Sequence, residues 1–264
     1  MSHIESKESF NEFIFALLIG RSKSGKSAAA ASFPKPFKEL DFDLRANGIK
    51  NAIQQGWLSG DGIDIKSFDP FGGFLQVQDY LNTSYINNKN GVLSFKSLDI
   101  GSITSMLRLF DLTSIRSRKP GKGTNIAGLA MTDPGDYKFE SQATHQVFDF
   151  LRTLNCNVTA AAHLVNAFGK VDPSDPYSPS IVKGEKLTLT DKLGENVLAI
   201  FDNVWKFSKE IINSKEKYYV EFSSEIAANT YGIPPMKFDI TKKEFYPFIV
   251  DLILKIRKGE FKAE

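Results

Sequence analysis

Phe13-Ile14-Phe15-Ala16-Leu17-Leu18-Ile19-Gly20-Arg21-Ser22-Lys23-Ser24-Gly25-Lys26-Ser27 is the stretch from which the fold can be read. Its first seven residues are apolar without alternation, as expected of a strand buried on both faces of a parallel sheet. The run Lys26-Ser27-Ala28-Ala29-Ala30-Ala31 has high helix propensity, and Pro34 and Pro36 stop that helix. Between strand and helix lies Gly-x4-Gly-Lys-Ser, the full phosphate-loop pattern. With glycine near ~7% of residues and lysine about 6%, a random chain of this length shows the pattern roughly once in a hundred. The flanking strand and helix signals make chance rarer still.

Each loop position has a task. Gly20 and Gly25 let the backbone curl, so that the N–H groups of Arg21, Ser22, Lys23 and Ser24 turn inward toward phosphate oxygens. Lys26 places a compact positive charge against the β- and γ-phosphates. The Ser27 hydroxyl is the expected magnesium ligand, and the helix that begins here turns its positive end toward the anion. The expected ligand is a nucleoside triphosphate, ATP with Mg2+.

Outward from the loop, strands and helices alternate. A second strand is read over Lys38 to Phe42, a third within Val92 to Ile100, and a fourth over Val158 to Ala162, ending at His163. Helical spacing is carried by Ile103, Met106, Leu107 and Phe110, and then by Phe139, Ala143, Val147, Phe150, Leu151 and Leu154. Ile49 to Asn90 gives mixed signals, with one helix expected around Phe74 to Leu81. Residues 168 to 184 are rich in breakers and read as a mobile loop. Asn203 to Ser208 and Lys217 to Ser223 are strand candidates, and Phe248 to Arg257 reads as a closing helix. Such alternation predicts an α/β fold: a mostly parallel sheet with helices on both faces and an antiparallel C-terminal extension. No composition shift marks a second domain, so residues 13–264 are read as one domain behind a loose tail of residues 1–12.

Phosphoryl transfer also needs carboxylates, for the magnesium shell and for the attacking water. In open α/β sheets they stand at the carboxyl ends of strands. One strand end offers Asp41 and Asp43, whose period-2 spacing puts both on one side; another offers Asp99.

The run Leu18 to Ser27, with Glu39-Leu40-Asp41-Phe42-Asp43, Ser97 to Met106 and Asn157 to His163, resembles the RecA-like ATPases encoded by phages. Several of these are nucleotide-binding or single-strand-annealing recombination proteins. The resemblance spans roughly residues 13 to 225, although the phosphate loop alone is specific. It implies a RecA-like core, ATP hydrolysis, side-by-side assembly with ATP between copies, and single-stranded DNA as a partner. It also assigns roles: Asp43 activates the water, His163 senses the γ-phosphate, and the aspartate closing the third strand holds the magnesium shell. At that last position this chain departs from the pattern. Leu98-Asp99-Ile100-Gly101-Ser102 puts Gly101 where the acid is expected, with Asp99 two residues earlier, about 6–7 Å away along the strand. Either Asp99 serves as the magnesium-site acid, or the chain is a nucleotide-dependent assembly module with weak or no hydrolysis. A kinase on the same loop would need a lid with arginines, for which Arg116 and Arg118 are the clustered pair.

Composition sets further bounds. A net charge of +2 neither demands nor excludes a nucleic-acid partner. The basic run Arg116 to Lys122 is the denser candidate for DNA contact, while Asp172 and Asp175 weigh against the later loop despite Tyr177. Cys156 is the single cysteine, read as a buried structural thiol in a reducing compartment. Three histidines, of which His3 and His145 carry no case, do not supply zinc-ligand spacing. No segment reaches the ~18 consecutive apolar residues that span a bilayer, and the start is unlike a signal peptide. A cytoplasmic location is expected, in the host cell if the chain is phage-encoded.

Overall fold

The computed structural model describes residues 10, 12–44, 46–69, 73–117, 134–171, 174, 178, 180–189, 191–224 and 226–261. The expected tail, apart from residues 10 and 12, lies outside them, as do Arg118 to Lys122, Asp172, Asp175 and Tyr177.

In chain order the elements are β1 (Phe15–Gly20), α1 (Lys26–Ala31), β2 (Phe37–Asp41), α2 (Asn47–Gln54), β3 (Ile63–Ser67), α3 (Gly73–Lys89), β4 (Ser97–Gly101) and α4 (Ile103–Ser117). There follow α5 (Pro134–Leu151), β5 (Asn157–Lys170), β6 (Ser180–Leu187), α6 (Asp191–Ile200), β7 (Asn203–Ile212), β8 (Lys215–Glu221), β9 (Lys237–Asp239) and α7 (Phe245–Arg257). Among the described residues the strands form one sheet ordered β3-β2-β4-β5-β1-β7-β8-β9, with β6 paired to β5. From β3 to β7 the neighbours run parallel; β8 and β9 extend the sheet antiparallel. This is the α/β class expected: a mostly parallel sheet with an antiparallel extension, and the phosphate-loop strand inside it.

Alternation along each strand divides the apolar side chains between two cores. Leu17, Ile19, Leu40, Leu98, Ile100, Val158 and Ala160 face α3, α4, α5 and α6, packing on Val77, Met106, Phe110, Phe148 and Val197. Ala16, Leu18, Phe37, Trp205 and Phe207 face the other way, toward Ala29 and Ala30 of α1, Ile49 of α2, and Phe245 and Ile249 of α7. The unbroken apolar run of β1 follows from its place: all six residues are buried because helices cover both faces. Trp205 stands edge-on to Phe222 and Phe245 at 5.6 and 5.4 Å in the second core, and Phe42 stacks on Phe68 at 4.9 Å in the first, so both cores are rich in aromatic side chains.

Several sequence expectations need correction. β3 and α6 were not anticipated. β3 is an edge strand with no buried residue, so the apolar run that announces a central strand is missing. The fourth strand does not stop at His163; β5 continues to Lys170 and pairs antiparallel with β6 from Leu164 onward. Much of the loop expected over 168 to 184 is therefore hairpin, with Phe168 opposite Val182 and Lys170 opposite Ser180. Gly169 and Gly184 lie within the paired arms, close to a shift of register between Ala167 and Phe168, while Pro173, Pro176 and Pro179 lie outside the described residues. β2 ends at Asp41, so Asp43 lies past the strand and does not share its side.

Candidate functional site

The phosphate loop leaves β1 at Gly20, flanked by His163 of β5 and Phe207 of β7 in the register. Gly25 adopts a left-handed conformation (φ 94°) immediately before α1, and Lys23 does the same (φ 62°). These residues turn the chain sharply enough for the loop to wrap the helix start. The Lys26 ammonium lies inside the curl, donating to the carbonyl oxygens of Gly20 and Arg21, each at 2.9 Å, and to Ser24 Oγ at 3.4 Å. Burial pushes its pKa down to about 8. A cation held by neutral carbonyls is one that an anion would stabilise further.

Ser27 stands at the first turn of α1, under α2. A Cβ at Gly48 would lie 2.9 Å from Ser27 Oγ, so glycine at that point lets α2 close over the hydroxyl. Arg21 is drawn away from the loop centre toward the β5–β6 hairpin, pairing with Glu185 at 3.2 Å and with Asn166. Glu185 also takes Lys206 of β7 at 3.0 Å; burial pushes its carboxyl up, and Lys206 and then Arg21 more than offset this and hold it below the usual range. Tyr218 of β8 lies against Gly25 on the opposite flank, with Trp57 edge-on to its ring at 5.9 Å. Ser22 and Ser24 complete the loop; Ser24 is buried and Ser22 exposed.

His163 is half-buried beside the loop. Burial and then the Lys26 charge lower its pKa, with Asp43 acting the other way, so the imidazole is neutral near pH 7. Asp43 is exposed and accepts a hydrogen bond from Ser105 Oγ of α4, while its amide donates to Asp41 Oδ1 at 3.0 Å. Asp41 is buried, 2% exposed, and also accepts from Ser67 Oγ at 3.4 Å; it closes the turn after β2 instead of facing water.

Asp99 lies within β4 and is buried, with Oδ1 accepting from Thr159 Oγ1 at 2.5 Å and Oδ2 without a hydrogen-bond partner. Opposite it in the register stands Glu39 of β2, 2% exposed, with Oε2 likewise unpartnered. Both side chains alternate with Leu40, Leu98 and Ile100, so they face the α1–α2 side of the sheet. Burial comes first, then the neighbouring carboxylates of Asp99, Asp41 and Asp43, in raising Glu39 well above the usual range. Burial also raises Asp99, against the Thr159 hydroxyl and the Ile100 amide.

The sequence reading singled out the loop, Asp43, Asp99 and His163. It missed Glu39, which reads as an ordinary mid-strand residue until β2 is set beside β4. An acid at an otherwise inward strand position, Glu39 between Phe37 and Asp41, was the available signal. Glu185, Asn166 and Tyr218 lie on segments far from the loop in sequence and carry no motif. Among the described residues no group of three or more His, Cys, Asp or Glu is placed to hold a metal, and no helix is long and apolar enough to cross a membrane.

No family model matches the chain, and no curated protein does. Among solved structures it is similar to a KaiC-like protein from the hyperthermophilic archaeon Pyrococcus horikoshii OT3. The two share 16% identity over 85% of this chain and 83% of that one, with a TM-score of 0.43.

Proposed function

We propose that this chain binds ATP with magnesium at Gly20 to Ser27 and hydrolyses it. The observation that carries the reading is the buried Lys26 ammonium, held inside a left-handed glycine loop at the carboxyl end of a central parallel strand. That arrangement gives a concave set of backbone donors and one enclosed cation, which suits a triphosphate. The orphaned, buried carboxylate oxygens on the α1 face suit a divalent cation, which takes one or two carboxylates and completes its shell with phosphates and water. Ser27 and Asp99 would hold the magnesium, whose charge would offset that developing on the phosphates.

The protein groups act as follows. The loop amides and Lys26 grip the β- and γ-phosphates. Asp43, oriented by the Ser105 hydroxyl, aligns a water on the γ-phosphate and accepts its proton. His163, neutral and next to Gly20, hydrogen-bonds the γ-phosphate and relays its loss along β5 to the β5–β6 hairpin.

The finer role is phage-type DNA recombination or single-strand annealing by an assembly of copies with ATP between them. It rests on the family resemblance. The hairpin is the surface that suits it: Val165, Phe168, Val171, Ile181 and Val182 are 41–67% exposed there, and Lys183 lies along its backbone.

The test is magnesium-dependent ATP hydrolysis with and without single-stranded DNA, for wild type beside Lys26→Ala and Asp43→Asn, with nucleotide affinity measured in parallel. The expected outcome is DNA-stimulated turnover lost in both variants, with affinity lost in Lys26→Ala alone. Affinity without turnover leaves a nucleotide-gated binding module, and a wild type that binds no ATP removes the reading.

A further inference from the structure

We propose that Glu39, from the strand next to β4, supplies the magnesium-site carboxylate that the chain lacks at Gly101; this rests on the nucleotide-binding reading above. An ideal Cβ at Gly101 would lie 2.3 Å from Glu39 Oε1 and 3.7 Å from Asp99 Oδ2. The space that a side chain at position 101 would enter is thus filled by a carboxylate from β2, with a second carboxylate against it. The register makes this possible. Glu39 is the partner of Asp99, and its longer side chain reaches along β4 to the next residue on the same face.

Two further observations point to a cation. Glu39 Oε2 and Asp99 Oδ2 are buried without a hydrogen-bond partner, although their residues are only 2% and 1% exposed. Leaving two buried acid oxygens unsatisfied side by side is costly, and a shared divalent ion is a chemistry that satisfies both. No lysine or arginine ion pair to either carboxylate is found among the described residues. The pair also faces the side of the sheet covered by α1, the helix that carries Ser27.

Glycine at position 101 then has a positive reason. A side chain there would have to displace the Glu39 carboxylate, so the two positions compete for one space: a glutamate on β2 over a glycine on β4, or a small residue on β2 beneath an acid on β4. Asp99, fixed by Thr159 from the far side, positions the Glu39 carboxylate as well as contributing an oxygen of its own.

The experiment is the affinity of a fluorescent ATP analogue in EDTA and in Mg2+, with Mn2+ electron paramagnetic resonance as a direct readout of bound metal. Wild type is compared with Glu39→Gln, Gly101→Asp and the Glu39→Ala/Gly101→Asp double variant. Glu39→Gln is expected to lower the ratio of affinities with and without metal at least tenfold and to replace the broad signal of bound Mn2+ with the sharp six-line signal of the free ion. Gly101→Asp alone is expected to do worse than the double variant, which recovers most of the ratio. Should Glu39→Gln fail to fold, the double variant carries the test through the same ratio. A Glu39→Gln protein that folds and keeps the full wild-type ratio overturns the proposal, as does a wild type whose nucleotide affinity ignores metal. A wild type that binds no nucleotide in either medium overturns the underlying reading instead.

Discussion

Arg21, inside the phosphate loop, is ion-paired with Glu185 of the β5–β6 hairpin at 3.2 Å, and Asn166 accepts a second bond from the same guanidinium. Glu185 therefore does two opposed things. It orders a loop cation, and it places a negative charge beside the proposed seat of a triphosphate. Magnitudes decide between them. The Arg21 side chain is 62% exposed, so the bridge contributes about 0–1 kcal/mol to order, and Asn166 would still hold it. Glu185→Gln is accordingly expected to tighten ATP binding, by roughly three- to tenfold at low salt, with the gain fading at high salt. Titration of a fluorescent nucleotide at two ionic strengths checks this; weaker binding would show that loop order outweighs charge.

Gly20 tolerates no side chain. A Cβ there would stand 2.3 Å from the Phe207 carbonyl oxygen and 2.8 Å from Ser24 Oγ. The first of these atoms is backbone of the neighbouring strand, so relief requires β1 and β7 to part. Gly20→Ala should abolish nucleotide binding and cost about 2 kcal/mol or more, lowering the melting temperature by roughly 4–8 °C. Calorimetric melting and nucleotide titration read the two effects separately.

Glu140 on α5 should make stability depend on pH near neutrality. Burial and then the charge of Asp111 push its pKa up to about 7 from an ordinary 4.5, in a hollow that Arg108, Tyr137 and Lys186 also line. With the folded value above the unfolded one, the stabilisation is complete below about 4.5 and is lost as pH rises through about 7. Glu140→Gln should therefore melt like wild type at acid pH and higher than wild type above neutrality. The gain is about 1 kcal/mol, well below the full conversion of the shift, because the hollow admits solvent. Melting curves across that range test it.

Cys156 should behave as a core residue. It is 3% exposed, and burial pushes its thiol up to about 12. A disulfide reagent is expected to leave it unlabelled in the native protein at mildly alkaline pH and to label it fully in concentrated guanidinium. Fast native labelling would mean that the segment before β5 opens readily.

Legibility in the sequence followed locality. The phosphate loop, β1 and α1 could be read because strand, turn and helix signals are contiguous. The helices over Ile103–Ser117 and Pro134–Leu151 could be read because one apolar face repeats along each. β3 could not, since at the sheet edge its side chains bury little. The hairpin arms after His163 could not, since Gly169 and Gly184 taken singly signal a loop, while the pairing that accommodates them depends on two separate segments meeting.

The same divide runs through the site. Reading along the chain is enough to find the phosphate-loop pattern, the lysine and serine within it, and the lack of an acid at position 101. All of these are properties of residues a few bonds apart, where covalent spacing dictates geometry. Which carboxylates meet is set only by folding, because it depends on the register of two strands distant in the chain. By pairing Glu39 with Asp99, the sheet brings a β2 carboxylate over Gly101, where no spacing rule along the chain would have placed one.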